Sequence, residues 1–183
     1  QVSLDFIMDQ ASANSLQEMR DIIKRFPGPD EEAMERAMVH ESILTKPSGA
    51  LGHLETLTQW FCAWQGRHPP RLERPRVAVF AGNHGVTRHQ ISAFSAAVTK
   101  QMVANFRSGG AAVNQLCKRY DAELRVYEMA LDHSTNDFTE SPALSEAECA
   151  SAMAYGMMAV EDGVDVICIG EMGIGNTTSA AAL

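Results

Sequence analysis

Apolar positions recur every three or four residues through the first third of the chain, then crowd into three short runs separated by helical stretches. Ser15 and Glu18 have the spacing of a capping box, and behind them Leu16, Met19, Ile22, Ile23 and Phe26 share one helical face. Pro27-Gly28-Pro29 closes that segment. A second helix is predicted from Asp30 to about Leu44. After the turn-rich link at residues 46–52, Leu54, Leu57, Trp60, Phe61 and Trp64 return at helical spacing, which reads as a packing stripe. The proline- and arginine-rich residues 67–76 change the pattern. Residues 77–81 read as a buried strand, 82–94 as a loop, and 96–107 and 111–119 as helices broken at Ser108-Gly109-Gly110. Residues 124–129 alternate as a second strand, and 131–145 are polar and expected to be exposed. Ser145 and Glu148 cap a helix running to about Glu161. A third strand, 164–169, is apolar enough to be expected buried, and it runs through glycines into another helix start.

Strands alternating with helices predict an α/β fold, a parallel sheet with helices on both faces and right-handed crossovers, preceded by a small helical subdomain. The expected division is 1–70 for the helices and 71–183 for the start of the α/β domain. Ligands in such sheets bind beyond the carboxyl ends of the strands. Both glycine-rich loops, Ala81-Gly82-Asn83-His84-Gly85 and residues 170–175, follow strands and therefore open on that one edge. Residues 177–183 open a helix and stop with no glycine, basic last turn or polar tail, so the chain is expected to be part of a longer protein.

Composition narrows the partners. With 183 residues, 45% of them apolar, and no apolar run long enough to cross a bilayer, the chain can build a substantial core and carries no membrane expectation. A formal net charge of −8 argues against a nucleic-acid groove, so any phosphate must be held locally by amides and dipoles. Cys62, Cys117, Cys149 and Cys168 lack CxxC spacing and read as reduced packing thiols of a cytoplasmic protein. The start, with Asp5 soon after an apolar pair, has no secretory pattern.

Candidate chemistry concentrates in Gly170-Glu171-Met172-Gly173-Ile174-Gly175-Asn176-Thr177-Thr178, where a strand turns into a helix start and can offer amides to a phosphate. It is neither a P-loop nor the G-x-G-x-x-G fingerprint. Glycines in such turns also serve positive φ alone. Glu171 is either a solvated turn residue or a ligand contact; since a carboxylate opposes an anion, ribose recognition or chemistry is the more economical cause. His84 reads as a core histidine with satisfied ring nitrogens, with a role in the cleft as the alternative. Asp132, His133 and Asp137 could suggest a metal, although a charge-rich loop is usually solvated. Gly109-Gly110 reads as a place where two helices meet closely, or as a break that aims amides at a ligand.

Four ordered motifs carry a resemblance. Leu44-Thr45-Lys46-Pro47-Ser48-Gly49-Ala50-Leu51-Gly52-His53-Leu54-Glu55, Ala81-Gly82-Asn83-His84-Gly85-Val86, Val98 through Phe106 to Gly109-Gly110-Ala111-Ala112, and the Gly170–Ala181 run together resemble the nicotinate-nucleotide:dimethylbenzimidazole phosphoribosyltransferase family over nearly the whole chain. The resemblance implies a Rossmann-like sheet and transfer of phosphoribose from nicotinate mononucleotide to a benzimidazole in assembly of the lower nucleotide of cobalamin. It implies no metal, no cofactor and a homodimer, for which the apolar helices of the first third would suit a partner surface. Carried over by position, Glu171, Gly173, Ile174, Gly175, Asn176, Thr177 and Thr178 would line the nucleotide site. Thr87, Phe94 and Ser95 would face the incoming base. The family's general-base carboxylate lies beyond Leu183, so no catalytic residue is assigned here and the chain alone is expected to be inactive. Two departures stand out: many relatives carry aspartate at the position of Asn83, and a proline–glutamine pair at Phe94-Ser95. A serine reaches less far than a glutamine, which leaves adenine or a phenolic acceptor as alternatives. A non-catalytic mononucleotide-binding module is the reading from another class.

Overall fold

The computed structural model describes residues 15–183, and the residues around Asp5 lie outside that range. Three helices come first: α1 (Leu16–Ile23), α2 (Glu31–Ser42) and α3 (His53–Gln65). Ser15 and Glu18 do form a capping box, with the Glu18 amide donating to Ser15 Oγ and the Ser15 amide to the Glu18 carboxylate. The helix ends earlier than its apolar stripe. Met19 and Ile22 are buried, whereas Ile23, the last residue of α1, and Phe26, beyond its end, are about half exposed.

Asp30 caps α2 through the amide of Ala33, and α2 packs on α3 through Ala33, Ala37 and Cys62. Small residues make this contact, so the helices approach closely and the large side chains of α3 point elsewhere. Leu54, Trp60 and Trp64 are 61%, 50% and 55% exposed, which corrects the expectation that they form the packing stripe. Periodicity placed them correctly on a helix; the partner chose the neighbouring face, with Cys62 and Ala63. Helix α1 joins neither α2 nor α3 in a core cluster. Its Met19 and Ile22 pack with Ala150 and Ala154 of α6 (Glu146–Met157).

The sheet contains β1 (Pro75–Gly82), β2 (Glu123–Met129) and β3 (Val166–Met172), in the order β2-β1-β3, with both pairings parallel. Between β1 and β2 run a 3-10 turn (Gly85–His89), α4 (Ala97–Ser108) and α5 (Ala112–Tyr120), and α6 joins β2 to β3. Successive strand residues face opposite ways. Ala81 packs with Val103 of α4, Leu131, Val126 and Met172, while its neighbour Phe80 stacks on Tyr127, whose ring meets Tyr155 of α6 edge-on. Helices therefore cover both faces, as the alternating pattern requires. On the Phe80 face at the opposite end, Arg76, 1% exposed, is bound by Glu123, Glu161 and the carbonyl of Ala159.

Two expectations fail here for one reason. Among the described residues β3 lies at the edge of the sheet, where Ile169, 76% exposed, and Cys168, also exposed, are left uncovered by them. An apolar run makes a strand; strand order decides how much of it is covered. Conversely, the polar segment 131–145 folds onto the end of β1 and buries Leu131 and Asp137. Gly109 ends α4 with φ of +83° and open space where a Cβ would stand, so its role is the left-handed helix cap, while the close approach expected of the glycine pair falls at Gly110, where a Cβ would collide with the Asn105 side chain of α4.

Candidate active site

A sheet ordered β2-β1-β3 sends its two crossovers to opposite sides of β1, which opens a crevice between the carboxyl ends of β1 and β3. The loops after those two strands are the glycine-rich ones. They touch. A Cβ on Gly173 would stand 2.3 Å from the carbonyl oxygen of Gly82 and 3.0 Å from His84 Nε2. Gly175, with φ of +81°, caps α7 (Asn176–Ala182), and a Cβ there would stand 2.7 Å from Thr87 Cγ2. Glycine is required at the first position by backbone contact and at the second by both conformation and contact.

Around this junction the side chains interlock. Thr99, fully buried on α4, accepts the amide of Ile174 at 3.2 Å, fixing the floor of the turn. Ser179 Oγ lies 2.9 Å from His84 Nδ1. The imidazole is half-buried, and that burial depresses its pKa despite the opposing field of Glu171, so it is held toward the neutral form. Glu171 sits at the exposed end of β3, in register with Phe80, and its carboxylate accepts from the side-chain amide of Asn176. That bond turns Asn176 toward the strand, and Glu171 itself stays exposed.

Within the turn, Asn176 and Thr178 donate their amides to the carbonyls of Gly173 and Gly175, and Ser179 also reaches Gly175. The candidate anion donors therefore narrow to the amides of Gly173, Gly175 and Thr177 and the hydroxyls of Thr177 and Thr178. Thr87 belongs to the junction, its hydroxyl donating to the carbonyl of His84 at 2.7 Å. Phe94 is 64% exposed and Ser95 is exposed; among the described residues no hydrogen bond brings either to the turn. His84, read from sequence as a core residue, instead bridges the two loops. Its position directly after a strand-ending Gly82-Asn83 was the available signal.

The loop carboxylates face other partners rather than one another: Asp132 pairs with Lys100, and Asp137 with the Arg88 guanidinium and the His89 ring. Among the described residues no group of three or more His, Cys, Asp or Glu side chains is placed to hold a metal ion, and no helix is long and apolar enough to cross a membrane.

Residues 26–183 match the family model described as phosphoribosyltransferase, DBI_PRT. The chain belongs to this family. It is 54% identical over 173 residues to the nicotinate-nucleotide–dimethylbenzimidazole phosphoribosyltransferase of Rhizobium meliloti (strain 1021), covering 94% of this chain and 51% of that relative. A protein of the same name from Rhizobium etli (strain CIAT 652) is 55% identical over 166 residues, 91% of this chain and 49% of the relative. The crystal structure of the enzyme of that name from Thermus thermophilus superposes with a TM-score of 0.77 at 35% identity, over 84% of this chain and 52% of that one. The chain thus spans about half the length of the curated relatives it matches, and the phosphoribosyltransferase fold extends to residues on both sides of the β1–β3 crevice.

Proposed function

We propose that the full-length protein transfers phosphoribose from nicotinate mononucleotide to 5,6-dimethylbenzimidazole, giving α-ribazole 5′-phosphate and nicotinate in cobalamin nucleotide-loop assembly. The observation that carries this reading is the β3 turn, with Glu171 at its mouth, packed glycine-to-backbone against the β1 loop in a chain of this family. The 5′-phosphate would rest on the amides of Gly173, Gly175 and Thr177 and the hydroxyls of Thr177 and Thr178, with Ile174 and Asn176 shaping the turn. Glu171 would face the ribose or the nicotinate ring. Thr87, Phe94 and Ser95 would border the flat acceptor.

In this reaction the acceptor nitrogen uses its lone pair to form a bond to the anomeric carbon with inversion. The bond to the nicotinate nitrogen breaks, and its electron pair neutralises the departing pyridinium, so no acid is needed. A carboxylate takes the proton from the acceptor's other ring nitrogen, making the attacking nitrogen a better nucleophile as the bond forms. That base would come from the family's carboxyl-terminal half. The contribution of residues 15–183 would be to hold donor and acceptor in line, which can supply much of the rate. We place the protein in the cytoplasm as a homodimer, with residues 1–70 as a helical subdomain and 71–183 opening the transferase domain.

Incubating full-length protein with nicotinate mononucleotide and a panel of bases, and following nicotinate release, tests the assignment. Release that depends on 5,6-dimethylbenzimidazole supports it. Release with adenine or a phenol in its place would move the acceptor, and tight mononucleotide binding without any release would favour a binding module.

A further inference from the structure

A carboxylate in the loop after β2, a segment whose polarity predicts exposure, is among the least exposed polar groups of the described residues. The Asp137 side chain is 5% exposed, and its two oxygens accept from both sides. Oδ2 takes Arg88 Nε at 2.6 Å and lies 2.7 Å from His89 Nε2; Oδ1 takes the amide and hydroxyl of Thr139 at 3.0 and 2.8 Å. Arg88 also reaches Glu140, and His89 Nε2 lies 3.3 Å from Thr139 Oγ1. His89 on the 3-10 turn and the carboxylate that gathers it are 48 residues apart in sequence.

The same two segments are joined along their length. Thr135 donates its amide to the carbonyl of Asn83 at 3.1 Å, Asn83 Nδ2 donates to the carbonyl of Leu131 at 2.8 Å, and the Gly85 amide donates to Thr135 Oγ1 at 3.2 Å. A Cβ on Gly85 would stand 2.3 Å from the Thr135 carbonyl oxygen. On its other side the 3-10 turn presents Thr87 to Gly175 of the β3 turn. The turn is therefore clamped from behind by the β2 loop and meets the nucleotide turn in front.

We propose that Asp137 is a positioning residue for the acceptor-binding loop: by holding Arg88 and His89 it fixes the reach of Thr87 and of residues 87–95 over the crevice. This rests on the transferase reading above. A buried carboxylate loses hydration that an apolar contact would not, and it regains that loss only in a geometry where every oxygen is met. Such a contact tolerates one loop position, whereas apolar packing would tolerate several. Arg88, His89 and Glu140 point to the clamp and not to the crevice, so the effect reaches substrate through the backbone of residues 87–95.

The test is steady-state nicotinate release by the full-length protein, with donor and acceptor varied separately. Asp137→Asn turns an amide toward Arg88 in place of an oxygen, and the KM for 5,6-dimethylbenzimidazole rises about tenfold while kcat and the KM for nicotinate mononucleotide stay within about twofold. Arg88→Gln, on a half-exposed side chain, moves the same constant in the same direction and decides the matter should Asp137→Asn not fold. Glu32→Gln on α2, whose carboxylate pairs with Arg36 outside the clamp, leaves all three constants unchanged. Equal rises in both KM values, or an unchanged acceptor KM in the folded variants, overturn the proposal while leaving the transferase assignment standing. A wild-type protein that releases no nicotinate with any base removes that assignment, and the clamp with it.

Discussion

Replacing Gly173 with alanine tests whether the β1–β3 junction sets the geometry of the site. The added methyl carbon would stand 2.3 Å from the Gly82 carbonyl oxygen, a backbone atom at the end of the central strand, and 3.0 Å from His84 Nε2. The imidazole can swing away. The carbonyl cannot, because β1 is hydrogen-bonded on both sides, so the β3 turn must move outward by about an ångström to restore van der Waals contact. Overpacking of this kind costs about 1–3 kcal/mol. An ångström of misplacement at a reacting centre can cost about a hundredfold in rate, so kcat/KM for nicotinate mononucleotide falls by about that factor. Gly175→Ala provides the contrast. Its φ of +81° adds about 1–2 kcal/mol of backbone strain, and its contact is with the Thr87 side chain, not with a strand backbone, so it is relieved by turning Thr87 at the loss of the bond to the His84 carbonyl. Urea melts and nicotinate-release kinetics on the two full-length variants separate these effects. A Gly173→Ala protein with unchanged kcat/KM would refute the reasoning, since the turn would then have moved without consequence or not moved at all.

Glu171→Gln keeps the bond from Asn176 in shape but removes the charge at the mouth of the crevice. Transfer weakens with little change in the urea midpoint, and unchanged turnover together with unchanged donor affinity would take Glu171 out of the site. His84 has a depressed folded pKa, so below its ordinary value near 6.5 the unfolded chain binds the proton that the folded one resists. Its contribution to stability is therefore highest above that value and declines as pH falls through 6.5 toward the lower folded pKa. His84→Gln flattens the pH dependence of the melting temperature in this window; an unaltered slope would contradict the burial argument. Arg76→Met removes the buried cation from Glu123, Glu161 and the Ala159 carbonyl at a cost of about 2 kcal/mol, below the usual figure for a broken buried pair because both glutamates keep Arg125 and reach solvent. A midpoint shift that amounts to less than about half a kilocalorie by chemical denaturation would show the network to be dispensable.

Much of the molecule was legible along the chain. The capping boxes at Ser15 and Ser145, the three parallel strands and the Gly170–Thr178 turn follow from local chemistry: hydroxyls that cap amides, apolar runs too short for helices, glycines where φ is positive or backbones meet. The misread positions share a cause. Trp60 and Trp64 obey helical spacing, yet α3 turns Cys62 to α2 and buries Ala63 beside it. The burial of Asp137 depends on Arg88 and His89, which sequence spacing does not bring near it.

The order of polar and apolar residues thus determined which segments become helix or strand, and which glycine-rich turns could face a phosphate. Strand order decided the rest. By placing β1 between its partners it brought Gly173 onto Gly82, set Ser179 against His84 and drew Asp137 under the 3-10 turn. Local preferences act over a few residues, whereas these contacts join residues from 48 to 95 positions apart, and only the folded sheet holds such pairs within hydrogen-bonding distance.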